Sequence, residues 1–362
     1  FFKPHDGIRD PLWSRGLGDV YKRQIGGYIG CSLSKAGANV SLIARGPHKE
    51  AIEKNGLTLI TENSSDTFNL KVTENPKELE TQDYIIIGVK AHAIAGIVEN
   101  LKPLLNKNTS ILSAVNGIPW WYFYKANSNT ILENTHIDSV DPDGIIWKNL
   151  NPERALGCVV YPACEIEKPG VIKHIEGNRF SLGEPSGINT DRLKILSDLF
   201  IKGGLKAPQK KNLRDEIWIK LWGNCSFNPI SAITGASLDI IGNDPSSRNL
   251  IKQMMLECQK VGEAVGVNFG VSIDKRIDGA SSIIGHKPST RQDIEMKRPL
   301  EIDPIMSAII EIGNKLNIAT PMLKHINSIL KLKANYLGLY KSCLLYTSDA
   351  ADDMQCVDLG GR

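Results

Sequence analysis

The stretch EIWIKLWGNCSFNPISAITG, residues 216–235, sets Lys220, Asn224 and Asn228 four residues apart. On a continuous helix that spacing turns one ammonium and two amides to the same side. The surrounding positions are mostly apolar, and an unpaired buried amide or ammonium costs several kcal/mol. The stripe must therefore meet partners. A bound substrate, held by charge pairing and hydrogen bonds, is one. Capping and interhelix hydrogen bonding is the other, and it is the favoured reading for Asn228, which Pro229 follows. Downstream, PSTRQDIEMKRPLEIDPI (288–305) supplies Ser289, Gln292, Asp293, Glu301 and Asp303. Taken alone, these are polar residues of loops and helix starts.

A second group of candidates lies nearer the amino end. Gly26 and Gly27 read as the close of a G-x-G-x-x-G turn, in which glycines admit the pyrophosphate and let helix pack on strand. With Gly26 as third glycine, Tyr21 and Arg23 stand where the other two belong, so the pair alone fits a helix-packing role equally well. Arg45 closes a strand about twenty residues further on, where NAD-binding proteins carry an acidic residue. A guanidinium there suits a ribose 2′-phosphate through paired hydrogen bonds, so NADPH is expected over NADH, with His48 and Lys49 assisting. Lys90 and Asn116 each follow a β-branched run, at the carboxyl edge where ligands bind in such sheets.

The ends of the chain explain the incomplete turn. DVYKRQ (19–24) can be written in codons whose reverse complement, read one base along, encodes Cys-Leu-Leu-Tyr-Thr and the start of a serine; CLLYTS stands at 343–348. SRGLG (14–18) and DAAD (349–352) also match translations of a transposase-type library adapter. Residues 1–24 and 341–362 are thus expected to be non-native, with a short apolar first strand lost ahead of Ile25.

The rest of the chain must position these groups. From 25 to about 207 short apolar runs alternate with helical stretches: ANVSLIAR (38–45), DYIIIGV (83–89) and TSILSAV (109–115) are buried strands of a parallel sheet covered on both faces. Residues 158–184 break into shorter strands, expected as an antiparallel edge. From 212 to 340 helical periodicity takes over, with helices expected at 215–233, 248–265, 304–316 and 321–332. The expectation is an α/β protein: a Rossmann-type doubly wound domain at 25–207, then an all-helical domain at 212–340. The 41% hydrophobic and 23% charged content suits a packed globular protein, and a net charge of +3 is too small and scattered to argue for nucleic acid or membrane partners. No apolar run approaches a spanning helix. The seven cysteines form no CxxC pair, which fits a reduced, cytoplasmic setting. The histidines have no metal-ligand spacing, so no metal is expected.

NGIPWWYFY (116–124), RFSLGEPSG (179–187), the 216–238 stretch and RQDIEMKRPLEID (291–303) resemble the NADPH-dependent 2-dehydropantoate 2-reductases, or ketopantoate reductases. The resemblance runs from about 25 to 339. It implies NADP(H) as cofactor, a helical domain like that of 6-phosphogluconate dehydrogenase, a small 2-oxo acid as substrate, and reduction of ketopantoate to pantoate on the route to pantothenate and coenzyme A. It also implies roles: Lys220 as general acid to the carbonyl, Glu301 holding the substrate hydroxyl, Asn224 touching substrate, Ser289 near its carboxylate, and Asn116 and Lys90 on the cofactor side. Relatives commonly pair as homodimers through the helical domain. Three departures bear on substrate identity. Ser-Thr-Arg-Gln-Asp replaces Ser-Met-Leu-Gln-Asp, Met306-Ser307 replaces Asn-Gly, and Leu238 stands where some members carry asparagine. The alternatives are a reductase of another 2-oxo acid, an opine-type dehydrogenase, which would use histidine rather than Lys220, and a non-catalytic nucleotide-binding protein.

Overall fold

The computed structural model describes residues 23–340 and 354–358. Its strands are β1 (Asn39–Ile43), β2 (Leu57–Ile60), β3 (Ser65–Phe68), β4 (Lys71–Thr73), β5 (Tyr84–Ile87), β6 (Ser110–Ser113), β7 (Ala155–Val160), β8 (Ala163–Lys168), β9 (Val171–Glu176), β10 (Phe180–Gly183) and β11 (Met354–Asp358). The three runs read as strands contain β1, β5 and β6, and the last two are wholly buried, as strands covered on both faces must be. The main sheet has the order β10-β7-β6-β5-β11-β1-β4, with β1–β4, β5–β6 and β6–β7 parallel. Setting aside the added edge β10, this is the 3-2-1-4-5-6 order of a doubly wound fold, and β11 occupies the position of its first strand.

That strand comes from the segment expected to lie outside the fold. It runs antiparallel to both neighbours, with Val40 opposite Val357 and Ile86 opposite Gln355. The slot between β1 and β5 would otherwise leave two rows of backbone donors and acceptors unpaired, and an extended segment from elsewhere satisfies both. The expected native first strand, together with Tyr21, falls outside the described residues.

The pieces at 158–184 divide differently from expectation. β7 joins the main sheet in parallel, and only β10 adds the antiparallel edge. β8 and β9 form a hairpin that pairs through β9 with β2, giving a second sheet in the order β3-β2-β9-β8. No local pattern announces that β2–β9 pairing. The first helix, α1 (Arg23–Lys35), packs between the two sheets. Gly26 and Gly27 lie in the first two turns of this helix, where the third glycine of the motif packs helix on strand; the position expected for its first glycine falls outside the described residues. At Gly27 a Cβ would collide with Ile172 of β9, so helix packing accounts for that glycine.

The remaining helices are α2 (Gly46–Asn55), α3 (Ile94–Leu101), α4 (Ile145–Leu150), α5 (Asp191–Lys202), α6 (Leu213–Cys225), α7 (Phe227–Thr234), α8 (Leu238–Asn243), α9 (Pro245–Ala264), α10 (Ile273–Ser281), α11 (Ser289–Glu295), α12 (Ala308–Lys315) and α13 (Pro321–Tyr336). One helix was expected across 215–233; the chain breaks at Ser226 instead, between α6 and α7. Pro229 explains the break, because its ring would clash with the carbonyl of Cys225 in an unbroken helix. A five-residue π turn, Asp303–Ser307, precedes α12. Such turns are frequent at functional sites.

Strand periodicity decides which core each side chain enters. Ile85, Ile87, Ile111 and Val159 face a core shared with Trp218, Trp222, Met254 and Ile309 of the helical domain. Ile86, Leu112 and Leu156 face the other way, onto α1, α5 and the second sheet. The helical domain is thus laid directly on one face of the nucleotide-type sheet. Among the described residues, no helix is long and apolar enough to cross a membrane.

Candidate active site

The carboxyl ends of β5, β6 and β7 all meet the helical domain. Lys220, near the end of α6, donates from Nζ to Asn116 Oδ1 at 2.9 Å and to the carbonyl of Val160. Asn116, just past β6, donates from Nδ2 to Glu301 Oε2 at 3.4 Å. The other oxygen of Glu301 accepts from the backbone N–H of Ala91 at 3.2 Å, and Glu301 is buried. A lysine and a carboxylate are therefore joined through one amide, and both are also tied to backbone groups at the edge of the sheet.

Asn116 is held in place by its neighbours. Gly117 has φ +84°, and a Cβ there would penetrate the carbonyl of Pro304 in the π turn. Pro304 O is used outside its own turn, accepting from Ile118 N at 2.8 Å. Only glycine permits both the backbone angle and the approach. Gly117→Ala is expected to cost about 1–3 kcal/mol through overpacking, measured by denaturant unfolding. It is also expected to reduce kcat, because the displaced loop carries Asn116; unchanged turnover alongside lost stability would separate the two effects.

A narrow cleft opens beside Lys220, lined by Val115, Asn116, Gly117, Ile217, Lys220 and Asn224 among others. Asn228 donates to Asn224 Oδ1 at 3.3 Å, so it works through Asn224 despite the helix break. Ser289 is the first, half-buried residue of α11, a helix packed on α7; neither it nor Glu301 lines the cleft beside Lys220.

Several assignments change. Lys90, expected on the cofactor side, instead forms a buried ion pair with Asp293 at 3.0 Å and donates to the carbonyl of Pro299. Burial raises the Asp293 pKa above the usual carboxylate range, opposed chiefly by Lys90. His48 is structural, its Nδ1 accepting from Gly170 N at 3.0 Å. Lys49 pairs with Glu53 at 2.8 Å on its own helix. Arg45 lies half-buried just past β1, at the N-cap position of α2, where its side chain makes no capping hydrogen bond. Asn116 turns out to be the bridge between the two catalytic candidates. Tyr161 was missed: its ring lies 5.8 Å from Lys220 Nζ, and its hydroxyl donates to Glu216 at 2.7 Å. Its position just past a parallel strand could have revealed it. Among the described residues, no group of three His, Cys, Asp or Glu is placed to hold a metal ion.

A doubly wound domain whose carboxyl edge is closed by a helical domain, with an ammonium and a carboxylate linked across the join, defines a two-domain oxidoreductase. Residues 24–187 match the family profile described as ketopantoate reductase PanE/ApbA, and residues 212–334 match its C-terminal counterpart. A 2-dehydropantoate 2-reductase from Mesorhizobium japonicum is 44% identical over 317 residues, covering 87% of this chain and 97% of that protein. The chain belongs to the ketopantoate reductase PanE/ApbA family. Among solved structures, a proposed ketopantoate reductase from Ralstonia solanacearum superimposes with a TM-score of 0.82 at 33% identity, covering 87% of this chain and 96% of its own. A D-mandelate dehydrogenase, solved with NADH and anilino(oxo)acetate, shares the fold with a TM-score of 0.73 at 23% identity, with coverages of 87% and 97%.

Proposed function

We propose that the protein reduces 2-dehydropantoate to pantoate with NADPH, the step that supplies pantothenate and coenzyme A synthesis. The observation that carries this reading is the linked set Lys220, Asn116 and Glu301 at the edge of the sheet, in a chain so similar to a named reductase. The residues fit a dinucleotide at three points. α1 ends shortly before β1 begins, so its amino end, the positive end of the helix dipole, lies at the carboxyl edge of the sheet. Arg45 stands at the end of the neighbouring strand, and the Lys220 cleft opens at the same edge.

When bound, the reduced nicotinamide supplies hydride to the 2-keto carbon. The chain's own residues do the rest. Lys220 faces the oxygen on which charge develops, stabilises it and gives it a proton, turning carbonyl into hydroxyl. Asn116 and the Val160 carbonyl fix the ammonium, so little reorganisation is needed when charge appears. Glu301 accepts a hydrogen bond from the substrate's hydroxyl, while Asn224, supported by Asn228, and Ser289 hold the acid. Arg45 pairs with the 2′-phosphate.

The test is NADPH and NADH oxidation with ketopantoate and a panel of other 2-oxo acids. Turnover confined to another acid would replace the substrate and keep the reductase. Arg45→Ser is expected to raise KM for NADPH about 10- to 150-fold, the worth of hydrogen bonds to a charged group, and to leave KM for NADH nearly unchanged. Equal effects on both cofactors would remove Arg45 from the phosphate site.

A further inference from the structure

Arg276 reaches α6 from another helix, beside the residues that border the cleft. It leaves α10, which packs on α8 and α9, and lays its guanidinium over α6. A Cβ on Gly223 would stand 2.9 Å from Arg276 Nη2 and 3.8 Å from Cζ, and the analogous space holds no other contact within 4 Å outside the helix itself and its chain neighbours. Gly223 lies one turn beyond Lys220 and next to Asn224, on the stretch of α6 that borders the cleft. Tyr161, whose ring lies near Lys220 Nζ, also interacts electrostatically with Arg276. Lys220 and Arg276, from two helices, therefore both act on Tyr161.

The acidic residues nearest in sequence are already engaged. Asp274 pairs with Lys252 at 2.8 Å, and Asp278 with Arg248 at 2.6 Å. Among the described residues, the Arg276 guanidinium makes no ion pair and no hydrogen bond. Burial lowers its pKa from the ordinary arginine value, opposed by Tyr161. A half-buried guanidinium without an anion is costly, and this one is given room by a glycine.

We propose that Arg276 binds the substrate's carboxylate, and that glycine at position 223 provides the clearance that lets the guanidinium reach it. This rests on the 2-oxo acid reading above. In such an acid the carboxylate is bonded to the keto carbon, so its partner must lie beside the group that serves the keto oxygen. Arg276 stands in that relation to Lys220. A guanidinium can take both carboxylate oxygens at once, which fixes the plane of the acid and leaves the keto oxygen to Lys220. The site then rejects neutral analogues, because a desolvated cation would be left unpaired.

The experiment compares the full chain with its Arg276→Gln and Gly223→Ala variants, using ketopantoate and its neutral amide. Arg276→Gln is expected to raise KM for the acid about 10- to 150-fold, with a smaller fall in kcat, and to abolish the preference for acid over amide. Gly223→Ala, which keeps the arginine and favours helix, is expected to shift KM the same way by a smaller factor by displacing the guanidinium. An acid-over-amide preference unchanged in both variants overturns the assignment. Calorimetric binding of oxamate with NADP present needs no turnover and separates the two readings. A wild type that binds oxamate but reduces no 2-oxo acid removes the reductase and retains the site, provided Arg276→Gln loses binding. Equal oxamate binding by wild type and Arg276→Gln, or none by wild type, removes the site.

Discussion

Lys220→Ala is expected to lower kcat with ketopantoate by about 10²- to 10⁴-fold, the usual worth of a positioned proton donor, while leaving the midpoint of thermal unfolding nearly unchanged. The asymmetry follows from where the ammonium sits. Of its two acceptors, Asn116 Oδ1 and the carbonyl of Val160, the first borders the cleft and keeps Glu301 as a partner, so removing the lysine does not strand that amide. The reacting oxygen, by contrast, would lose both its electrostatic partner and its proton source. Single-turnover NADPH oxidation isolates the chemical step from product release. A variant that turns over at the wild-type rate would eliminate the lysine from the mechanism, whatever its effect on binding.

Asp293→Ala is expected to cost about 3–5 kcal/mol of stability, the usual penalty for removing one partner of a buried ion pair. Lys90 and Asp293 side chains are 7% and 5% exposed, too little for water to replace the lost carboxylate. The raised pKa of Asp293 shows that burial outweighs the help it receives from Lys90, so the pair is poor evidence of net stabilisation even though breaking it is damaging. Lys90→Met combined with Asp293→Ala should recover much of the loss, since apolar replacement of both members is often neutral. Urea unfolding of the two single variants and the double variant measures the coupling. A loss below about 1 kcal/mol in Asp293→Ala would mean that the pair behaves as a solvated surface contact.

These two residues also mark how much of the molecule could be read from the chain alone. Local chemistry was legible: β-branched runs became β1, β5 and β6, and the lysine and asparagines stood out because α6 and α7 are otherwise largely apolar. Partnerships across long sequence separations were not. Nothing near Lys90 indicates Asp293, and nothing near Asn116 indicates that it links Lys220 to Glu301; both relations exist only once the helical domain rests on the sheet. The same limit hid the β2–β9 pairing and the arrival of β11 between β1 and β5. The break at Ser226 was within reach, because Pro229 was in view and its effect on the preceding turn is local. The glycine pair stayed ambiguous because a phosphate turn and a close helix contact ask for the same residue.

The shared interior of the two lobes has a practical corollary. Ile85, Ile111 and Val159 belong to one buried apolar cluster with Trp218, Met254 and Ile309, so excising either lobe would expose a greasy face. At about 25 cal/mol per Å², baring even roughly 400 Å² would forfeit about 10 kcal/mol, comparable with the whole margin of a typical domain. Fragments cut at the junction should therefore aggregate when expressed singly and behave only when co-expressed as complementary halves.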